Sequence, residues 1–251
     1  MLTFKKDLSE FTHPIGKLHK QTERGKTQKI PIYYTFKDHE KNMPVVKGDI
    51  HLTLLNEKNQ VNQIAIYGSP GSGKSHTALS VMKKIRANDK KDWVLFSAKE
   101  EDHLFDDDWI KRYPIDKLEE LEIEQFSEYG YNAIFDDYDS FMDKETNTYM
   151  SNLIRTILKR GRSLGINIIC ITQQGKNGKE TKTLNDLFNT VILFPSSNKN
   201  STIDFVKNKL GASKKQLEMI QNLPKSRFQK LIIRRNQPTF YYSDGIIGVW
   251  D

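Results

Sequence analysis

Apolar residues in this chain fall in short runs, and polar or amphipathic stretches separate them. Gln63–Tyr67, Trp93–Ala98, Ala133–Phe135, Ile166–Ile171 and Val191–Pro195 are near-continuous apolar runs bounded by charged or turn-forming residues. That is the pattern of strands buried on both faces. Between them, Thr77–Ile85 and Thr148–Leu164 repeat at helical spacing, the latter with Leu153, Ile154, Ile157 and Leu158 on one face. Leu118–Phe126, Leu184–Phe188, Ile203–Leu210 and Lys215–Asn222 also read as helices. Strands alternating with helices predict an α/β fold, a mostly parallel sheet with helices on both faces. Extra β elements are expected at both ends. Ile30–Phe36 and Asp49–Leu55 would add an edge to the sheet, and Leu231–Arg235 with Thr239–Tyr242 would form a closing hairpin through Asn236-Gln237-Pro238. Residues 1–30 are polar and basic with few apolar anchors, which predicts an irregular arm.

A length of 251 residues is enough for a sizeable core and predicts one domain over 1–251, with its centre at 60–195. The single cysteine, Cys170, lies in an apolar run and cannot form an internal disulfide. The six histidines show no metal-ligand spacing with it. The first residues lack the apolar segment of a signal peptide, and no apolar run approaches the roughly 20 residues of a membrane span. A soluble intracellular protein is expected. The net charge of +7 is uneven: residues 1–50 carry +4, 51–195 carry −3 and 196–251 carry +6. Basic ends around a slightly acidic centre fit a polyanionic partner such as nucleic acid, or ordinary solubilising lysine.

The strongest chemical signal is Gly68-Ser69-Pro70-Gly71-Ser72-Gly73-Lys74-Ser75, followed by His76. It fits the phosphate-binding pattern G-x-x-x-x-G-K-[ST], between an apolar run and a helical one. Glycines let successive N–H groups turn inward onto phosphate oxygens, Lys74 reaches the β/γ-phosphates, and Ser75 offers a hydroxyl to Mg²⁺. These residues predict binding of ATP with Mg²⁺. A second signal is Asp136-Asp137, ending the Ala133–Phe135 run. Asp136 is expected to hold Mg²⁺ through water, and Asp137 to polarise the attacking water. A solvated acidic turn is the alternative, since Asp139 and Asp143 follow. A third is Gln173, with Gln174 behind it, at the end of the next apolar run. In one large division of phosphate-loop NTPases a strand lies between the phosphate-loop strand and the acidic one. Its polar tip then faces the γ-phosphate. Arg162, then Arg160, and Arg155 on the intervening helix are candidates for an arginine acting on a neighbouring subunit's site, or for plain surface charge.

Gly68–Ser75, Phe135-Asp136-Asp137, and Arg162-Ser163-Leu164-Gly165-Ile166-Asn167 running into Ile171-Thr172-Gln173 together resemble the FtsK–HerA superfamily of DNA-pumping ATPases. The size is similar to that of its viral genome-packaging members, found in poxviruses, other large DNA viruses and virophages. The resemblance covers motifs in residues 60–195. It implies a RecA-like nucleotide-binding fold, a pentameric or hexameric ring, translocation of double-stranded DNA, and an arginine acting in trans. It also implies capsid proteins as partners, and the host cytoplasm, viral factory or virion as location. The superfamily often has glutamate where this chain has Asp137. Lys176, Lys179 and Lys182, in the loop after Gln173, are expected to meet DNA phosphates, or simply to connect. The other readings are a plasmid or conjugative pump or helicase of the same superfamily, a small-molecule kinase, and a nucleotide-gated DNA-binding or assembly protein with little turnover.

Overall fold

In the computed structural model, which describes residues 2–6, 14–34, 45–52, 61–99, 101–138, 140, 143–173, 184, 186–195, 199–222, 229–235, 240–243 and 246–249, strands and helices alternate through the centre of the chain. The strands are β1 (Leu2–Thr3), β2 (Gly16–Gln21), β3 (Thr27–Tyr34), β4 (Val45–Lys47), β5 (Asp49–Leu52), β6 (Gln63–Tyr67), β7 (Asp92–Ser97), β8 (Ile110–Arg112), β9 (Tyr131–Asp136), β10 (Ile168–Thr172), β11 (Thr190–Leu193), β12 (Leu231–Arg234), β13 (Phe240–Ser243) and β14 (Ile246–Val249). The helices are α1 (Lys74–Asp89), α2 (Ile123–Glu128), α3 (Lys144–Leu164), α4 (Lys199–Leu210) and α5 (Lys214–Gln221).

Among the described residues, ten strands form one sheet in the order β4-β14-β13-β12-β11-β6-β10-β9-β7-β8. The run from β11 to β8 is parallel, and β12, β13, β14 and β4 continue it antiparallel. Strand alternation divides the core in two. Ile64, Ile66, Ile134, Ile169 and Ile171 pack with Ala78, Val81, Met82 and Ile85 of α1. Ala65, Tyr67, Ala133, Phe135, Ile168 and Cys170 belong to the opposite cluster, with Phe126, Ile154, Ile157, Val206 and Ile220. Helices thus cover both faces, which is why these strands read as continuous apolar runs rather than alternating ones. No helix among the described residues is long and apolar enough to cross a membrane.

The register aligns the carboxyl ends of the central strands. Thr172 pairs with Tyr67, and Asp136 pairs with both Ile171 and Ser97. At the other edge a belt of buried amides ties the strands together. Asn167 Oδ1 accepts from Asn62 N–H (2.8 Å) and Asn62 Nδ2 (2.9 Å). Asn167 Nδ2 donates to Asn132 Oδ1 and to Asp89 Oδ2, both at 3.0 Å. Asp89 also accepts from Asn132 Nδ2 (2.9 Å). The last turn of α1 is thereby fastened to the starts of β9 and β10.

Several expectations at the edges need correction. Residues 1–30 are not simply an irregular arm: β1, β2 and the start of β3 lie there. β3 and β5 do not extend the large sheet. They form a second, four-stranded sheet in the order β1-β3-β2-β5, because Leu2, Ile15, Leu18 and Ile32 supply a small core of their own, closed by Val46 and Ile247. The edge strand beside β14 is β4, which is too short to show a pattern. Leu118–Phe126 is not one helix but a 3-10 turn over Ile115–Glu120 and then α2. α3 begins at Lys144 because the Asp143 carboxylate caps it, accepting from Thr146 N–H at 2.6 Å. The closing hairpin, β12 with β13, gains a third strand, β14.

Asn167→Ala deletes one side chain that serves four hydrogen bonds and takes a partner from the buried Asn62 and Asn132 side chains and from Asp89. We expect it to lower unfolding free energy by about 2–4 kcal/mol in urea titrations. A loss below about 0.5 kcal/mol would show that the belt is not a structural tie.

Candidate functional site

The phosphate loop joins β6 to α1 at the carboxyl edge of the sheet. Gly73, the residue before α1, has φ +94°, a conformation in which a side chain is strained, and it leaves the first turn of α1 without a side-chain cap. No side-chain oxygen of the N-cap residue competes with an anion at that helix start. Gly68 is required for another reason: a Cβ there would lie 2.6 Å from Ser72 Oγ and 3.1 Å from the Phe194 ring. Lys74 is buried, and its Nζ donates to the Ser69 carbonyl (3.1 Å), so the ammonium folds back over the loop. Ser75 is half-buried; Ser69 lies partly covered, while Pro70, Gly71 and His76 are exposed. A glycine cradle, an uncapped helix start and a lysine curled over the same loop fit a polyphosphate.

Asp136 ends β9, and β10 separates β9 from β6. The Asp136 side chain is 1% exposed, and its Oδ1 has no hydrogen-bond partner among the described residues. Asp137 follows with φ +47°, a left-handed conformation uncommon outside glycine, and its Oδ1 is likewise unpartnered. Its N–H donates to the Ile171 carbonyl (3.0 Å), which holds the kink against β10. Two buried carboxylate oxygens without donors fit a divalent, oxygen-seeking cation such as Mg²⁺. Gln173 is exposed just past the end of β10, between the loop strand and the acidic strand. Loop, Gln173 and acidic pair thus share one edge of the sheet.

One participant was missed in the sequence. Lys99, two residues beyond β7, puts its Nζ 3.1 Å from Asp136 Oδ2, 3.7 Å from Asp137 Oδ2 and 3.6 Å from Asp102 Oδ2. Its signal in the sequence is slight, a lone cation opening the acidic stretch Glu100-Glu101-Asp102. Burial pulls the Lys99 ammonium pKa down. The charge and hydrogen bond of Asp136, then the charges of Asp137 and Asp102, outweigh it, and the net shift is upward. For Asp136 burial dominates and raises the pKa; Lys99 opposes this, and Asp137 and Asp102 add to it.

The arginines lie elsewhere in the protomer. α3 runs 21 residues away from Asp143, so Arg160 and Arg162 sit about 25 Å along it, beside the amino end of β10. Arg160 is paired with Glu124 of α2, Arg155 donates to Asn152 Oδ1 (3.1 Å), and Arg162 is exposed. None is brought to the phosphate loop of its own chain. Gln174 and the loop lysines Lys176, Lys179 and Lys182 lie outside the described residues.

The chain has the fold of a P-loop NTPase. Among solved structures it is similar to the genome packaging NTPase B204 of Sulfolobus turreted icosahedral virus 2, in complex with ATP-γS: 16% identity, TM-score 0.50, covering 76% of this chain and 97% of that one. It is also similar to the pCW3 conjugation coupling protein TcpA with ATP-γS, at 14% identity and TM-score 0.53, covering 93% of this chain and 77% of that one. Among curated proteins, uncharacterized protein V3 of Sputnik virophage is 30% identical over 116 residues, 45% of this chain. The chain spans about half the length of that relative, 46% of it. No known family profile matches the chain.

Because the Asp136 pKa is raised on folding, the folded state binds more protons between the unfolded and folded values. That contribution to stability is present below the unfolded pKa and is lost as pH rises through the raised one. Asp136→Asn lacks this loss. Urea titrations between about pH 4 and 7 should show the variant gaining stability relative to the wild type as pH rises. A pH-independent difference would contradict the assignment.

Proposed function

We propose that this protein is an ATP hydrolase that moves double-stranded DNA, and that the cargo is a viral genome driven into a preformed capsid. The observation that carries the hydrolase reading is the strand order β6-β10-β9, with the phosphate loop, Gln173 and Asp136-Asp137 at the ends of three adjacent strands. In this reading the loop amides of 68–75 and Lys74 would hold the triphosphate, and Ser75 and Asp136 would hold Mg²⁺, which would supply charge neutralisation at the phosphates. Asp137, with its backbone fixed in a kink, orients the attacking water and takes its proton. Gln173 contacts the terminal phosphate and carries its loss into the loop that follows, where Lys176, Lys179 and Lys182 meet DNA phosphates. Such contacts are sequence-independent and salt-sensitive.

The packaging role is supported by the likeness to a genome packaging NTPase and by the virophage relative. A second reading, a conjugative DNA pump, is favoured by the likeness to TcpA, which extends over more of the chain. Both require assembly into a ring around DNA. Arg162 or Arg160 could complete a neighbour's site only across such an interface, with the amino edge of one sheet turned towards the nucleotide edge of the next.

Steady-state ATP hydrolysis with and without long double-stranded DNA tests the proposal. Several-fold stimulation by DNA is expected, with turnover falling at least about 100-fold in Lys74→Ala. Stimulation by a small nucleoside instead of DNA would identify a kinase. Bound nucleotide without turnover under either condition would overturn the motor reading.

A further inference from the structure

Lys99 touches the acidic pair from the side away from the phosphate loop, because β7 flanks β9 opposite to β10. Its backbone is anchored, and its head is held only by carboxylates. The Lys99 N–H donates to Ser97 Oγ (3.2 Å), and its carbonyl accepts from an Arg112 Nη1. The side chain itself is 47% exposed. Asp136, by contrast, is almost wholly buried, so its charge needs a counter-ion. A single ammonium supplies it incompletely. It reaches Oδ2 of Asp136 and Asp137 and leaves both Oδ1 atoms without a donor.

A third carboxylate lies within reach on the exposed side. Asp102 Oδ1 accepts from Leu104 N–H (3.1 Å), capping a 3-10 turn, which fixes this carboxylate independently of Lys99. Its Oδ2 is the atom facing Lys99, at 3.6 Å. An ammonium on a flexible stem, between a buried acidic pair and a fixed carboxylate, has two places to rest. A divalent cation on Asp136 would repel it from the first and leave the second.

We infer that Lys99 is a tethered counter-cation that neutralises Asp136 and Asp137 in the absence of magnesium and moves onto Asp102 when magnesium binds, thereby setting the magnesium dependence of nucleotide binding. The inference rests on reading Asp136 as the carboxylate on the metal side of the site. It makes Lys99 a positioning residue rather than a catalytic one. Magnesium must displace a charge already in place, and the acidic pair is never bare when the metal leaves.

The test uses the full chain, a fluorescent ATP analogue and a Mg²⁺ titration, alongside melting temperatures in EDTA. Lys99→Met should bind nucleotide with a Mg²⁺ midpoint about 3- to 10-fold lower than wild type, because a nearby unit positive charge is gone. It should also melt lower in EDTA. Lys99→Arg keeps the charge and should stay near the wild-type midpoint. Asp102→Asn removes the second resting place and should raise the midpoint. An unchanged or higher midpoint in Lys99→Met, or a midpoint in Lys99→Arg as low as that of Lys99→Met, would overturn the inference. If the wild-type chain bound nucleotide with no Mg²⁺ dependence, the underlying reading of the site would fall as well.

Discussion

The buried carboxylate of Asp136 is the constraint around which the centre of this protein is organised. A charge at the end of a covered parallel strand has lost most of its water, and the low dielectric around it makes an unpaired state costly. Three features surround it. Lys99 leans across from the neighbouring strand to oppose the charge. The chain turns into a left-handed conformation at Asp137 immediately afterwards, and a hydrogen bond to β10 holds it there. The apolar residues before it, Ala133, Ile134 and Phe135, are fully buried, and Phe135 stacks on Phe96 of β7 with ring centroids 4.6 Å apart. A sheet this rigid keeps the acid at a fixed place relative to the loop two strands away. The price in stability is sensible only if something at that edge uses the charge.

The amide belt at the opposite edge complements this arrangement. Asn62, Asn132 and Asn167 sit at or just before the starts of β6, β9 and β10, the strands whose far ends carry the loop, the acidic pair and Gln173. By also holding Asp89 at the end of α1, the belt fastens the helix that begins at Lys74. One edge of the sheet is thus pinned by a belt of amide hydrogen bonds and the other carries the acidic pair and a left-handed backbone turn. Strain at the second edge is tolerated because the first is over-determined.

Much of this was legible from residue order. The phosphate loop is a local pattern, so its glycines could be read without a fold, although the Phe194 ring that also presses on Gly68 comes from a distant strand end. The central strands were legible because burial on both faces makes them continuous apolar runs. The position of Gln173 followed from one topological rule about which strand lies between the other two. What escaped had a common physical cause. Lys99 matters only because β7 and β9 become neighbours, and that adjacency brings together residues 37 positions apart. β1 and β4 are too short for period-two patterning to show, and the second sheet depends on a small core assembled from both ends of the chain. Arginine roles that depend on a neighbouring subunit leave no mark on a single chain's geometry.

A crystal structure of the protein with Mg²⁺ and ATP-γS tests the central claim most directly. The account predicts the β- and γ-phosphates within the amides of Gly68–Ser75, Mg²⁺ between Ser75 and Asp136, and the Lys99 ammonium on Asp102. Nucleotide bound away from that loop, or a metal that ignores Asp136 while Lys99 keeps its place, would contradict it.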